Sequence, residues 1–135
     1  MSTVRAQRVF IVEDDPTAAQ LAEEIVRELG YEPVTFLSAE RFEAHLTANP
    51  EVSGTQAIIL DIVMPERDAI ECMCHLRLMG ISLPIILVSA LGHTYFPTVR
   101  LLAAALRQEI IAAIEKPLTL DSVKSALDLA AKSAA

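Results

Sequence analysis

The chain has 135 residues, enough for one domain whose core buries roughly two-thirds of the unfolded surface. It is 53% hydrophobic with no Trp, two Tyr and four Phe, and carries twenty alanines, so aliphatic strands packed against alanine-rich helices are expected. The net charge of −7 argues against non-specific binding to nucleic acid or anionic membrane, and favours a cation or a basic partner surface as complement.

No run reaches eighteen apolar residues, and Met1 to Arg8 is polar with no apolar signal core. The expectation is a soluble, cytoplasmic protein. Val9-Phe10-Ile11-Val12 reads as a first strand. It ends on Glu13-Asp14-Asp15-Pro16, a cap residue followed by proline at the first helical position. The first helix runs from Pro16 to Leu29, with Ala18, Leu21, Ala22, Ile25 and Leu29 as its apolar stripe and Gly30 as its stop.

Val34-Thr35-Phe36, with Pro33 before it, suits an edge strand. Ser38 can cap a second helix that buries Ala39, Phe42 and Leu46, and Asn49-Pro50 to Gly54 is turn chemistry. Ala57 to Leu60 is a third strand, without period-two alternation and so buried on both faces, that stops on Asp61. Pro65 forbids simple continuation, so residues 61 to 68 form a loop before a helix from Ala69 to Met79 that Gly80 ends. Within it Cys72 and Cys74 point to different faces, which suits packing rather than a disulfide or a metal clamp. His45, His75 and His93 share no ligand spacing.

Ile85-Ile86-Leu87-Val88 is a fourth strand ending on Ser89, followed by a loop from Leu91 to Pro97 and a helix from Thr98 to Gln108. Ile110 to Ile114 is the fifth strand, ending on Glu115-Lys116-Pro117. The last helix, about Leu120 to Ala131, buries Leu120, Val123, Leu127 and Ala130 or Ala131, with Asp121 against the helix dipole. Strand and helix alternate five times. That order implies right-handed crossovers and an α/β fold, a doubly wound parallel sheet with helices on both faces. One domain over 1–135 is expected, with its core at about 8–131 and no output or anchoring domain after it.

Four of the five apolar runs end on a chemically equipped residue: Glu13-Asp14, Asp61, Ser89 and Lys116. In a parallel sheet those ends share one edge, and ligands bind there where strand order reverses. Acids brought together repel unless one is protonated or a hard cation joins them, and Mg²⁺ takes oxygen ligands and also accepts phosphate oxygens. A hydroxyl and an ammonium nearby offer what phosphoryl oxygens need, and Asp61 can then act as a nucleophile that forms an acyl phosphate.

These residues resemble the receiver domains of two-component response regulators. The resemblance rests on Val12-Glu13-Asp14-Asp15-Pro16, on Leu60-Asp61-Ile62-Val63-Met64-Pro65 with Asp68, on Ser89-Ala90 and on Lys116-Pro117, and it covers about Arg8 to Ala131. It implies five strands in the order 2-1-3-4-5, an order for which a member of this family is a standing example. It implies Asp61 as phosphoacceptor, taking its phosphoryl group from the phosphohistidine of a histidine kinase or phosphotransfer protein, or from a small acyl phosphate. Asp14, Asp61 and the Val63 carbonyl would hold Mg²⁺, with Glu13 acting through a water. Ser89, the Ala90 N–H and Lys116 would bind phosphoryl oxygens, and the Lys116-Pro117 bond would be cis. Such a chain switches conformation to regulate an output domain or partner and does not turn over an external substrate.

Four departures from the family pattern stand out. Ala69 replaces the usual Gly after Asp68, Ala113 replaces the switch aromatic three residues before Lys116, and the interval from Ser89 to Lys116 is long with no Gly ending its helix. Val63 and Leu91 are apolar where many receivers carry polar side chains that orient an attacking water, which implies slow loss of the phosphoryl group. The ending Ile110 to Leu118 is similar to receivers joined to cyclic-di-GMP phosphodiesterase domains. Two alternatives remain: a receiver-like adaptor that is not phosphorylated, and a small Mg²⁺-dependent aspartyl-phosphate phosphohydrolase. The latter usually has a second Asp where Val63 stands.

Overall fold

A computed structural model describes residues 7–62 and 66–133. Five parallel strands, β1 (Arg8–Val12), β2 (Glu32–Phe36), β3 (Thr55–Asp61), β4 (Ile85–Ser89) and β5 (Ile110–Glu115), lie in the order β2-β1-β3-β4-β5. Helices α1 (Pro16–Glu28), α2 (Ala39–Ala48), α3 (Glu66–Met79), α4 (Gly92–Ala105) and α5 (Leu120–Ser133) connect and follow them. This is the expected flavodoxin-like order, with the Pro33 strand at an edge.

The strands lack hydrophobic alternation because both faces are covered. Phe10, Ile58, Leu60, Ile85 and Leu87 face one core, closed by Phe42 and Leu46 of α2, Leu76 of α3 and Val99 of α4. Val9, Ile11, Ile59, Ile86 and Val88 face the other, closed by Ala22 and Val26 of α1 and by Val123 and Leu127 of α5. Phe10, Phe36 and Phe42 meet edge-on or tilted at ring separations of 5.3–5.8 Å. Cys72 is buried in the first core and Cys74 is half-buried, with no disulfide between them.

Asp15 caps α1 by accepting from Thr17 N–H, Pro16 follows it, and Ser38 Oγ caps α2 by accepting from Arg41 N–H at 3.1 Å. Helix ends α1 and α3 close alike: Gly30 N–H donates to Arg27 O and Tyr31 N–H to Val26 O, and Gly80 and Ile81 repeat this on Arg77 and Leu76. The closing residue needs a positive φ, which glycine adopts without a Cβ clash. Helix α4 closes in the same way on Arg107, at φ 56°, with Arg107 N–H on Ala104 O and Gln108 N–H on Ala103 O. The helix therefore ends at Ala105, short of the expected Gln108, and is not extended by the missing glycine.

Helix α4 also begins earlier than expected, at Gly92, so the segment from Leu91 to Pro97 is mostly helix and Pro97 lies inside it. Proline is commonest in a first turn, where its absent N–H costs nothing, which is why the sequence pattern placed the start at Thr98. Two buried faces are rotated from expectation. In α1 the buried residues are Ala19, Ala22, Ile25 and Val26, while Leu21 is 40% exposed. In α5 they are Val123, Ala126, Leu127 and Ala130, with Leu120 exposed in the first turn. Ala69 is fully buried inside α3, and Arg107 alone among the described non-glycine residues has positive φ, so Ala69 bears no such strain.

Candidate functional site

Register brings the strand ends level. Val12 pairs with Leu60, and Asp61 with Val88. Beyond them Glu13 N–H donates to Phe36 O, Ile62 N–H to Val88 O, and Lys116 N–H to Ser89 O. Because β1 lies between β2 and β3, the chain reverses its strand order there, and Glu13 and Asp14 come alongside Asp61. Carboxylate oxygens of Glu13, Asp14 and Asp61 all lie within 4.8 Å of one another. Asp61 and Glu13 are buried, at 2% and 5% exposure, while Asp14 faces solvent.

One cation sits among these acids. Lys116 Nζ donates to Glu13 Oε1 at 2.6 Å and to Asp61 Oδ2 at 3.3 Å. Burial, and then the neighbouring Asp61, push the Glu13 carboxyl up from 4.5 to about 8, although Lys116 and the Asp15 N–H bonded to it at 3.2 Å act the other way. Burial acts to lower Lys116, but its two carboxylate partners outweigh it and hold the ammonium above its usual value. Burial first, and the Asp61 carboxylate second, thus favour the protonated form of Glu13.

Ser89 is fully buried, and its Oγ accepts from Leu91 N–H at 2.9 Å, leaving the hydroxyl hydrogen to donate elsewhere. The Lys116-Pro117 bond is cis. Ala90 is exposed at the same edge, and Val63 lies outside the described residues. The four strand-end positions singled out from sequence therefore share one edge. The pairing of Lys116 with Glu13 had no signal in the sequence, since it spans 103 positions and depends on β1 and β5 both being drawn to β3 and β4.

The donor set fits a hard divalent cation: three carboxylates, one solvent-facing, with oxygen ligands only. The chain matches the response regulator receiver domain model over residues 9–128, and it belongs to that family. Its sequence is 32% identical over 87 residues to the two-component response regulator ARR11 of Arabidopsis thaliana, covering 64% of this chain and 16% of that protein. It is 30% identical over 93 residues to the response regulator protein TodT of Pseudomonas putida, covering 69% of this chain and 38% of that protein. The chain thus spans well under half the length of these curated relatives. A response regulator from Colwellia psychrerythraea superposes with a TM-score of 0.75 at 26% identity, over 95% of this chain and 99% of that one. The protein is accordingly a receiver domain of two-component signalling, a class that signals rather than turns over substrate and that binds Mg²⁺ at an acidic pocket. No described helix is long and apolar enough to cross a membrane.

Proposed function

We propose that residues 1–135 form a single receiver domain that accepts a phosphoryl group on Asp61 from the phosphohistidine of a histidine kinase or phosphotransfer protein. One observation carries this reading: the buried Asp61 carboxylate lies within 4.8 Å of Glu13 and Asp14 oxygens and 3.3 Å from the Lys116 ammonium. In the transfer an Asp61 oxygen forms a bond to phosphorus, the N–P bond breaks, and the imidazole nitrogen keeps the electron pair. Asp14, Asp61 and the Val63 carbonyl would hold Mg²⁺, with Glu13 acting through a water, and the ion would neutralise charge on the transferring group.

Lys116 exchanges its carboxylate partners for a phosphoryl oxygen as charge builds there. The Ser89 hydroxyl, with the Ala90 N–H, donates to another. The product is a conformational bias read by an output domain or a partner protein, a cyclic-di-GMP phosphodiesterase domain being the output that the β5 ending favours. Its chemistry is self-modification in the cytoplasm, without turnover.

The test is intact mass after incubation with Mg²⁺ and acetyl phosphate. One phosphoryl adduct, absent from Asp61→Asn, is the expected result. No adduct with any donor, together with retained partner binding, would leave an unphosphorylated adaptor, and steady release of phosphate from many esters would instead indicate a hydrolase.

A further inference from the structure

Between α1 and the turn that follows β5 lies a groove of about 550 Å³, within the range of roughly 300–1,000 Å³ typical of small-molecule sites. Its walls are apolar: Ala18, Leu21 and Ala22 of α1, Ile59 and Val88 of the sheet, and Leu118 beyond Pro117. The alanines at 18 and 22 stand one helical turn apart and leave open the space that longer side chains would fill. Ile59 and Val88 are buried, at 3% and 2% exposure, so the groove reaches down to the sheet, while Leu21, 40% exposed, stands at its rim.

Asp61 and Lys116 line the same groove, which makes its apolar length continuous with the phosphoacceptor site. The charges at that end already answer one another: Lys116 Nζ donates to both Glu13 and Asp61, and burial favours the protonated form of Glu13. The length beyond them therefore suits a neutral, apolar body. A protein donor can lower one side chain into it, but its backbone N–H and C=O groups would lose their hydrogen bonds at the depth of Ile59 and Val88. A flexible alkyl chain has no such groups and can run the whole length. The other end of such a molecule is set by the chemistry at Asp61. Transfer to a carboxylate forms a mixed anhydride, so the donor must itself be activated, which an acyl phosphate is and an alkyl phosphate ester is not.

From this geometry we infer that Asp61 also takes phosphoryl groups from acyl phosphates with a medium-length alkyl tail, the tail lying along Ala18, Ala22 and Leu118 and the phosphoryl group at Asp61 and Lys116. An Asp61 oxygen bonds to phosphorus, the bond between phosphorus and the acyl oxygen breaks, and a fatty carboxylate leaves with the electron pair. The inference rests on the proposed acceptance at Asp61 and adds to it a class of small-molecule donor.

The experiment follows the intact mass of the full chain with Mg²⁺ and equal, subsaturating acetyl, butyryl, hexanoyl or octanoyl phosphate, with phosphoramidate as a donor that has no tail. Each acyl donor releases an alkyl carboxylate, so tail length changes the contact and not the leaving group. The rate of adduct formation is expected to rise by up to about fourfold per methylene until the groove is filled, so that octanoyl phosphate exceeds acetyl phosphate at least about tenfold. Ala18→Leu fills the groove from a half-buried helical position, and Leu21→Glu charges its rim. Each removes the advantage of octanoyl phosphate and leaves the phosphoramidate rate unchanged. Methyl NMR locates the tail without turnover: 2-oxononylphosphonate, a non-transferable analogue of octanoyl phosphate, shifts the methyl groups of Ala18, Ala22, Val88 and Leu118. Rates independent of tail length, or an octanoyl preference intact in both variants, overturn the inference. So does slow transfer from octanoyl phosphate while transfer from a protein phosphohistidine falls in Ala18→Leu, which would assign the groove to an apolar side chain of a partner. No adduct from any donor refutes the proposed acceptance together with this inference, whereas modification by acetyl phosphate without any gain from a longer tail refutes this inference alone.

Discussion

The proton held by Glu13 makes Mg²⁺ binding pH-dependent in a defined direction. With its carboxyl raised to about 8, Glu13 is roughly nine-tenths protonated at pH 7 and about half at pH 8. A cation that needs the carboxylate must displace that proton, so apparent Mg²⁺ affinity rises about tenfold per pH unit from pH 6 to 7 and levels off above pH 8. Calorimetric titration in two buffers of different ionisation heat counts the protons, with release of about 0.9 per Mg²⁺ expected at pH 7 and about 0.1 at pH 9. Glu13→Gln removes both the slope and the release. Folding stability runs the opposite way: with the Glu13 carboxyl raised from 4.5 to about 8, the metal-free fold is most stable below about 4.5 and loses that contribution as pH rises from there through about 8. Mg²⁺ restores stability at the upper end. Affinity constant within about twofold between pH 6 and 8, or no proton release at pH 7, would refute the assignment of the proton to Glu13.

Three further outcomes are expected. Lys116→Met removes the ammonium that lowers Glu13, so the pH at which Mg²⁺ affinity levels off moves upward, and the rate of adduct formation with acetyl phosphate falls at least tenfold, about 1.4 kcal/mol of barrier; an unchanged rate in intact-mass time courses would exclude Lys116 from the transfer. Arg107→Gly relieves a left-handed residue that costs about 1–2 kcal/mol and gives back about 0.5–1 in unfolded-chain entropy, so denaturant unfolding shows a gain of up to about 1.5 kcal/mol, whereas Arg107→Val is destabilising. Phe42→Ala, at a fully buried ring 5.6 Å from Phe10 and 5.3 Å from Phe36, lowers unfolding free energy by about 3–5 kcal/mol; a loss under 1 kcal/mol would mean that α2 is not held by this cluster.

The strands and the edge that carries the site were legible for one reason, whereas the strand order came from the family resemblance. Parallel strands buried on both faces appear as short unbroken apolar runs, and each run's last residue marks the same edge of the sheet. Asp61, Ser89 and Lys116 could be aligned by counting from those runs, and no long-range geometry was needed. Less was legible where backbone chemistry departs from its usual residue. Arg107 closes α4 with the hydrogen bonds that Gly30 and Gly80 make elsewhere, and an arginine carries no mark of that conformation. Pro97 disguised the helix around it in the same way. The rotation of α1 had a different origin: Leu21 and Ala19 compete for a face two residues apart, and periodicity does not tell which one the sheet accepts.

The same comparison bears on how a change at Asp61 travels. Ala113 is half-buried against the core on the α4 side, and a methyl group has no rotamer to swing. Ser89 is differently placed: among the described residues its Oγ is bonded to Leu91 N–H, and Leu91 supplies the carbonyl that accepts from Thr94 and Tyr95 N–H at the start of α4. That helix start has no side-chain cap, so the Leu91 peptide is its anchor. In the proposed phosphorylated state, a Ser89 hydroxyl drawn toward a phosphoryl oxygen would act on α4 through the Leu91 N–H bond that its Oγ accepts. Tyr95 and Phe96, packed on the core cluster that Ala113 also touches, are the aromatic side chains that this helix would carry with it.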